Sequence, residues 1–85
     1  MTAPLRVLLV DDHQLFRRGL EALLAAIDGI EVLGTAGDAE AAVRAVARDR
    51  PDVALIDLHM PGGGGIAAIR DINEHHPGVA TLVLT

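Results

Sequence analysis

Apolar runs fall at Val7–Val10, Val53–Ile56 and Thr81–Leu84. They are continuous rather than alternating, the pattern of strands covered on both faces in a parallel sheet. A fourth, less apolar stretch, Glu31–Ala36, reads as an edge strand. Helical spacing fills the gaps. After Asp12, the residues Phe16, Leu20, Leu23, Leu24 and Ile27 predict an inward stripe, with Arg17, Arg18 and Glu21 on the other face and a stop at Asp28-Gly29. Asp38 is a natural N-cap for a helix over Ala39–Asp49, whose stripe is Ala42, Val43 and Val46 and whose end is Pro51. Gly65 leads into a third helix with Ile66, Ile69 and Ile72 facing inward, broken at His75-His76-Pro77-Gly78.

The order is β-α-β-α-β-α-β with short connections. It predicts an α/β fold, a doubly wound parallel sheet with right-handed crossovers. No closing helix follows the last strand, so one sheet face is expected to be under-covered, and the fourth strand leaves an open edge.

At 85 residues the chain fits one small domain. With one Phe and no Tyr or Trp, the core must come from Val, Leu, Ile and Ala. The net charge of −5 and scattered arginines make a poor nucleic-acid binder. Absence of Cys removes disulfides and thiolate metal sites. No apolar run approaches a membrane span and no signal-peptide pattern opens the chain, so a cytoplasmic domain is expected. Lysine is absent.

Chemistry gathers at two strand ends. Val7–Val10 runs into Asp11-Asp12, and Val53–Ile56 runs into Asp57. Open α/β sheets keep their sites just outside the carboxyl ends of the strands. If the two strands are parallel neighbours, three carboxylates converge, and like charges so close call for a cation. One Asp is enough to cap a helix, so the Asp11-Asp12 pair fits a hard Mg²⁺, which takes oxygen ligands, better than a cap alone. Asp57 alone could be a turn residue held by backbone amides before Pro61. Gly62–Gly65 lacks the spacing and the Lys of a P-loop and reads as a flexible loop with one Gly in an unusual backbone conformation. His13 and His59 flank the acids and could suggest a transition metal. The simpler reading is that His13 begins a helix and His59 lies in the loop. His75-His76 reads as a solvated helix end. Thr85, at the end of the fourth strand, would bring a hydroxyl toward Asp57 from the side.

These residues together resemble the receiver domain of bacterial two-component response regulators. The resemblance is carried by Val7-Leu8-Leu9-Val10-Asp11-Asp12, by Pro51-Asp52-Val53-Ala54-Leu55-Ile56-Asp57-Leu58-His59-Met60-Pro61, by Gly65, and by Thr81-Leu82-Val83-Leu84-Thr85. The stretch Asp11-Asp12-His13-Gln14-Leu15-Phe16-Arg17-Arg18-Gly19-Leu20 is similar to the NarL/FixJ subgroup, with its LuxR-type helix-turn-helix output. The fold implied is flavodoxin-like, with strand order 2-1-3-4 here.

The resemblance implies roles. Asp57 is the phosphoacceptor, taking a phosphoryl group from a sensor histidine kinase or a small phosphodonor as an acyl phosphate. Asp12 binds Mg²⁺ directly and Asp11 largely through water, with Asp57 and the His59 backbone carbonyl as further ligands. Thr85 hydrogen-bonds the phosphoryl group and reports it by moving.

Two departures stand out. Gly62-Gly63-Gly64 occupy positions where the family often has an Asp or another polar residue. The family's fifth strand, which ends in a phosphoryl-gripping Lys, has no counterpart. Residues 1–85 are therefore expected to be the N-terminal two-thirds of a receiver, truncated after the fourth strand, with DNA contact left to an absent output domain. Two other readings are a non-signalling fragment stable only by self-association through the fourth strand and the uncovered face, and a metal-dependent phosphohydrolase using Asp57. The last lacks a second catalytic acid two residues on, where His59 stands.

Overall fold

A computed structural model describes residues 3–84. The elements are β1 (Leu5–Val10), α1 (Gln14–Ala25), β2 (Ile30–Ala36), α2 (Ala39–Asp49), β3 (Val53–Ile56), a short 3₁₀ turn (Pro61–Gly63), α3 (Gly64–His75) and β4 (Ala80–Val83). Every strand pairing is parallel, and the order among the described residues is β2-β1-β3-β4. The sheet therefore has the predicted order, with β2 at one edge and β4 at the other.

The central strands carry the core because both of their faces are covered. Leu8 and Val10 of β1, with Ala54 and Ile56 of β3, pack against Ala42, Ala45 and Val46 of α2 and against Ala68 and Ile72 of α3. Small residues on α2 let it lie close to the sheet. Asp38 caps this helix as expected, its Oδ1 accepting the Ala41 N–H at 2.7 Å. At the other end Arg50 sits in the left-handed region at φ 48°. The Arg6 guanidinium donates to the carbonyls of Arg50 and Asp49 at 2.8 and 2.7 Å, satisfying groups that a helix end leaves open.

Helix phases differ from the periodicity in instructive ways. On α3 the buried residues are Gly65, Ala68 and Ile72, while Ile66 is exposed. The phase follows Gly65, where even a Cβ would collide with the Asp57 carbonyl and come within 2.8 Å of the Leu58 Cα. On α2 the buried stripe includes Ala45, with Val43 only partly covered. Within the Gly62–Gly65 loop two glycines, not one, take positive φ: Gly62 at 68° and Gly63 at 71°.

The largest departure is α1. It ends at Ala25, short of Ile27, and none of its residues is fully buried. Leu20 and Leu24 are half-covered, but Phe16 is 55 % and Leu23 67 % exposed. Arg17, expected on the outer face, turns inward and donates Nη1 to the Asp11 carbonyl at 2.7 Å. This bond ties the first turn of α1 to the end of β1. On the far edge, Leu82 of β4 is 58 % exposed. The under-covered face expected from the pattern is present among the described residues.

Candidate functional site

Register builds the site. Val10 and Ile56 are Cα partners in the β1–β3 ladder, and the Asp57 N–H donates to the Val10 carbonyl at 2.9 Å. The residues that follow each strand, Asp11 and Asp57, are thereby brought side by side at the carboxyl end of the sheet. Asp11 is anchored on its other flank, its N–H donating to the Ala36 carbonyl of β2 at 3.0 Å. Both are nearly sealed from solvent, at 3 % and 8 % exposure.

The carboxylates are not equivalent. Asp57 Oδ1 accepts the His59 N–H at 2.9 Å, which fixes the group and leaves Oδ2 toward the cleft. Asp11 Oδ1 accepts the His13 N–H at 2.6 Å. Asp12 is half-buried, and its Oδ1 is sealed and makes no well-aligned hydrogen bond among the described residues, although His13 Nδ1 stands 3.1 Å away and would pair with it when protonated. A buried acceptor without a well-aligned donor costs free energy. A cation would satisfy it.

His13 occupies more of the site than its place in the chain suggests. It is the N-cap of α1, so it does begin the helix, but its side chain makes no capping bond. The ring turns back instead: Nδ1 lies 3.1 Å from Asp12 Oδ1, 3.3 Å from Asp11 Oδ1 and 4.0 Å from Asp57 Oδ2. One potential ligand atom from each of Asp11, Asp12, His13 and Asp57 lies within 4.8 Å of the others. The set could hold a metal ion. The signal in the chain was the Asp-Asp-His tripeptide itself. Neither aspartate caps α1, so the capping reading of Asp11-Asp12 does not hold.

A cleft of about 540 Å³ opens over these residues, lined by Asp11, His13, Leu15, Phe16, Asp57, His59 and Leu84. His59 is exposed in the turn after β3, as expected. Leu84 donates its N–H to the Ile56 carbonyl at 2.9 Å, carrying the chain past β4 beside the site. The Thr85 reading lies outside the described residues.

Residues 7–85 match the family of the response regulator receiver domain. The chain belongs to that family. Among curated relatives of this receiver, the response regulator GacA of Pseudomonas viridiflava is 42 % identical over 81 residues, covering 95 % of this chain and 38 % of that protein. A protein-glutamate methylesterase/protein-glutamine glutaminase of Geobacter metallireducens is 53 % identical over 72 residues, 85 % of this chain and 21 % of that protein. Among solved structures, a LuxR-family two-component response regulator from Aurantimonas superposes with a TM-score of 0.88 at 36 % identity, covering 95 % of this receiver and 58 % of that chain. The receiver thus spans well under half the length of these curated relatives. Its relatives include both response regulators and a protein-glutamate methylesterase/protein-glutamine glutaminase. No helix among the described residues is long and apolar enough to cross a membrane.

Proposed function

We propose that this receiver is a phosphoacceptor module of a transcriptional response regulator, with Asp57 as the group that is phosphorylated. The observation that carries the reading is the state of Asp57. It is a buried carboxylate with one oxygen held by the His59 N–H and the other open to a cleft. Oδ2 attacks the phosphorus of a phosphohistidine or of a small acyl phosphate. The new P–O bond forms as the P–N or P–O bond to the donor breaks, and the electron pair leaves with the imidazole or the carboxylate. The product is an acyl phosphate on Asp57.

Like charges oppose this approach, because a dianionic phosphoryl group must enter beside three carboxylates. The donor set of Asp11, Asp12 and Asp57 suits Mg²⁺, and the sealed Asp12 Oδ1 is the oxygen most in need of it. In this reading the His59 backbone carbonyl would supply a further ligand, and a bound cation would offset the negative charge of the phosphoryl group. Thr85 supplies a hydroxyl to the bound phosphoryl group. Residues 1–85 then form the N-terminal two-thirds of a cytoplasmic receiver. The phosphodonor is a sensor histidine kinase, and DNA is reached only through an output domain outside these residues.

Incubation with acetyl phosphate and Mg²⁺, followed by intact-mass measurement, tests this. One added phosphoryl group, lost in Asp57→Asn, is expected. A folded chain that gains no mass under any metal condition would defeat the reading.

A second reading has its own observation. Exposed Phe16, Leu23 and Leu82, with the open edge of β4, support self-association of a chain with no signalling activity. Light scattering over a concentration series decides it: a cooperatively folding monomer at high concentration contradicts it. A phosphohydrolase reading ranks below both, since His59 stands where it needs an acid.

A further inference from the structure

We infer that Arg17 is a positioning residue for the carboxylate pocket: through the Asp11 carbonyl it fixes the peptide that aims Asp12, and residue 37 is glycine to leave room for its guanidinium. This rests on the reading of the pocket as a Mg²⁺ site and adds no ligand to it. The two adjacent aspartates are held very differently. Asp11 is fixed at three points. Its N–H donates to the Ala36 carbonyl at 3.0 Å, its carboxylate accepts the His13 N–H at 2.6 Å, and its carbonyl accepts Arg17 Nη1 at 2.7 Å. Asp12 Oδ1 makes no well-aligned hydrogen bond among the described residues, although His13 Nδ1 stands 3.1 Å away. The aim of the Asp12 carboxylate therefore comes chiefly from its backbone. The Asp11 carbonyl lies in the same planar peptide as the Asp12 N–H. A bond that fixes this oxygen fixes the plane from which the Asp12 side chain departs.

Gly37 supplies an independent observation. Among the described residues the glycines with positive φ are Gly29, Gly62 and Gly63, so the backbone at Gly37 makes no demand for glycine. What is missing there is space. A Cβ on Gly37 would stand 2.7 Å from Arg17 Nη1 and 3.8 Å from Arg17 Cζ. Chain neighbours apart, both atoms within 4 Å of that Cβ belong to Arg17. The residue between β2 and α2 is thus cut to fit one guanidinium.

Arg17 is half-buried and joins three segments: the first turn of α1, the end of β1 and the start of the β2–α2 connection. Its hydrogen bond goes to a backbone carbonyl, not to a carboxylate. As a charge alone, a guanidinium near a cation site repels the cation and weakens its binding. As a clamp on the Asp11–Asp12 peptide, it strengthens binding. The two roles have opposite signs, so they can be told apart.

Calorimetric titration of the 85-residue chain with Mg²⁺, for wild type, Arg17→Met, Gly37→Ala and the double variant, tests this. Arg17→Met keeps the aliphatic stem and should weaken Mg²⁺ by about tenfold, the usual cost of losing an outer partner of a metal site. Gly37→Ala keeps the charge but displaces the guanidinium, and should weaken Mg²⁺ several-fold. In the Arg17→Met background it should change nothing, because its effect passes through the guanidinium. Metal-free ¹⁵N spectra give a readout apart from binding: Gly37→Ala should move the Asp12 amide resonance, and should no longer do so once Arg17 is Met. Unchanged or tighter Mg²⁺ binding in Arg17→Met, additive losses in the double variant, or an Asp12 amide indifferent to Gly37→Ala would overturn the inference and leave the metal-site reading standing. A folded wild type that binds no Mg²⁺ would defeat both. If Arg17→Met does not fold, Gly37→Ala against wild type decides, since the atom its methyl group meets is the free end of a flexible side chain. Equal Mg²⁺ affinity of those two proteins then overturns the inference.

Discussion

Gly65 is pressed against the backbone of Asp57 and Leu58 so tightly that it leaves no room for a methyl group. The first turn of α3 thereby becomes the floor beneath the strand end that carries the candidate phosphoacceptor. Gly65→Ala should destabilise the fold by about 1–3 kcal/mol, the usual cost of forcing atoms into a filled site. Gly19, inside α1 with open space around it, is the control. Gly19→Ala should stabilise by up to about 1 kcal/mol through helix propensity alone. Urea unfolding curves for the two variants should move in opposite directions, and parallel shifts would refute the contact argument.

Divalent cation should stabilise the fold. If the three carboxylates hold Mg²⁺, a concentration a hundred times its dissociation constant adds about 2.7 kcal/mol to unfolding. Asp12→Asn should abolish most of this gain. It should also leave the metal-free protein no less stable, since it removes one of three crowded charges. Thermal melts with Mg²⁺ and with EDTA check both points. A gain that survives in Asp12→Asn would move the ion elsewhere.

His75 sits in the last turn of α3, and its Nδ1 lies 2.9 Å from the Asp71 carboxylate and 3.2 Å from the Asp71 carbonyl. The carboxylate hydrogen bond, then the carbonyl, hold its pKa above the ordinary imidazole value. The pair's contribution to stability is therefore complete below the unfolded pKa of about 6.5 and fades as pH rises through the higher folded one. An NMR titration should find the His75 midpoint raised, and Asp71→Asn should bring it back down. A midpoint unmoved by that change would mean the pair does not form in solution. The His75 side chain is mostly exposed, so the effect on overall stability should be slight.

Asp38 provides a simpler test. Its capping bond to the Ala41 N–H is local and exposed. Asp38→Ala should cost about 1 kcal/mol, and Asp38→Ser should restore most of it. Chemical denaturation of the three proteins is sufficient. Equal stability of all three would show that the cap contributes nothing.

Much of this architecture was legible in the chain because central parallel strands are continuous apolar runs. Val53–Ile56 could be read with both boundaries and β1 with its end at Val10, though β1 begins two residues before Val7, at Leu5; the aspartates that follow the two strands were legible too. What was not legible depends on contacts between elements. The turn of Arg17 inward reflects a bond to the Asp11 carbonyl, a backbone group invisible in a side-chain pattern. The phase of α3 is set by a collision that only the folded backbone reveals. His13 was readable as a neighbour of the acids, but its ring direction depends on the backbone leaving β1, with φ −89° and ψ 99° at that residue.

Arg6 has a consequence for how the fold assembles. The end of α2 is held by a guanidinium from β1, 44 residues away along the chain, and no glycine stops the helix. A separated α2 peptide would lack that partner, and its last turn, with Arg50 in a left-handed conformation, would have little reason to form. The helix terminus is thus a tertiary contact in disguise. Its formation is cooperative with the docking of β1, so local order at Arg50 reports that the two distant segments have met.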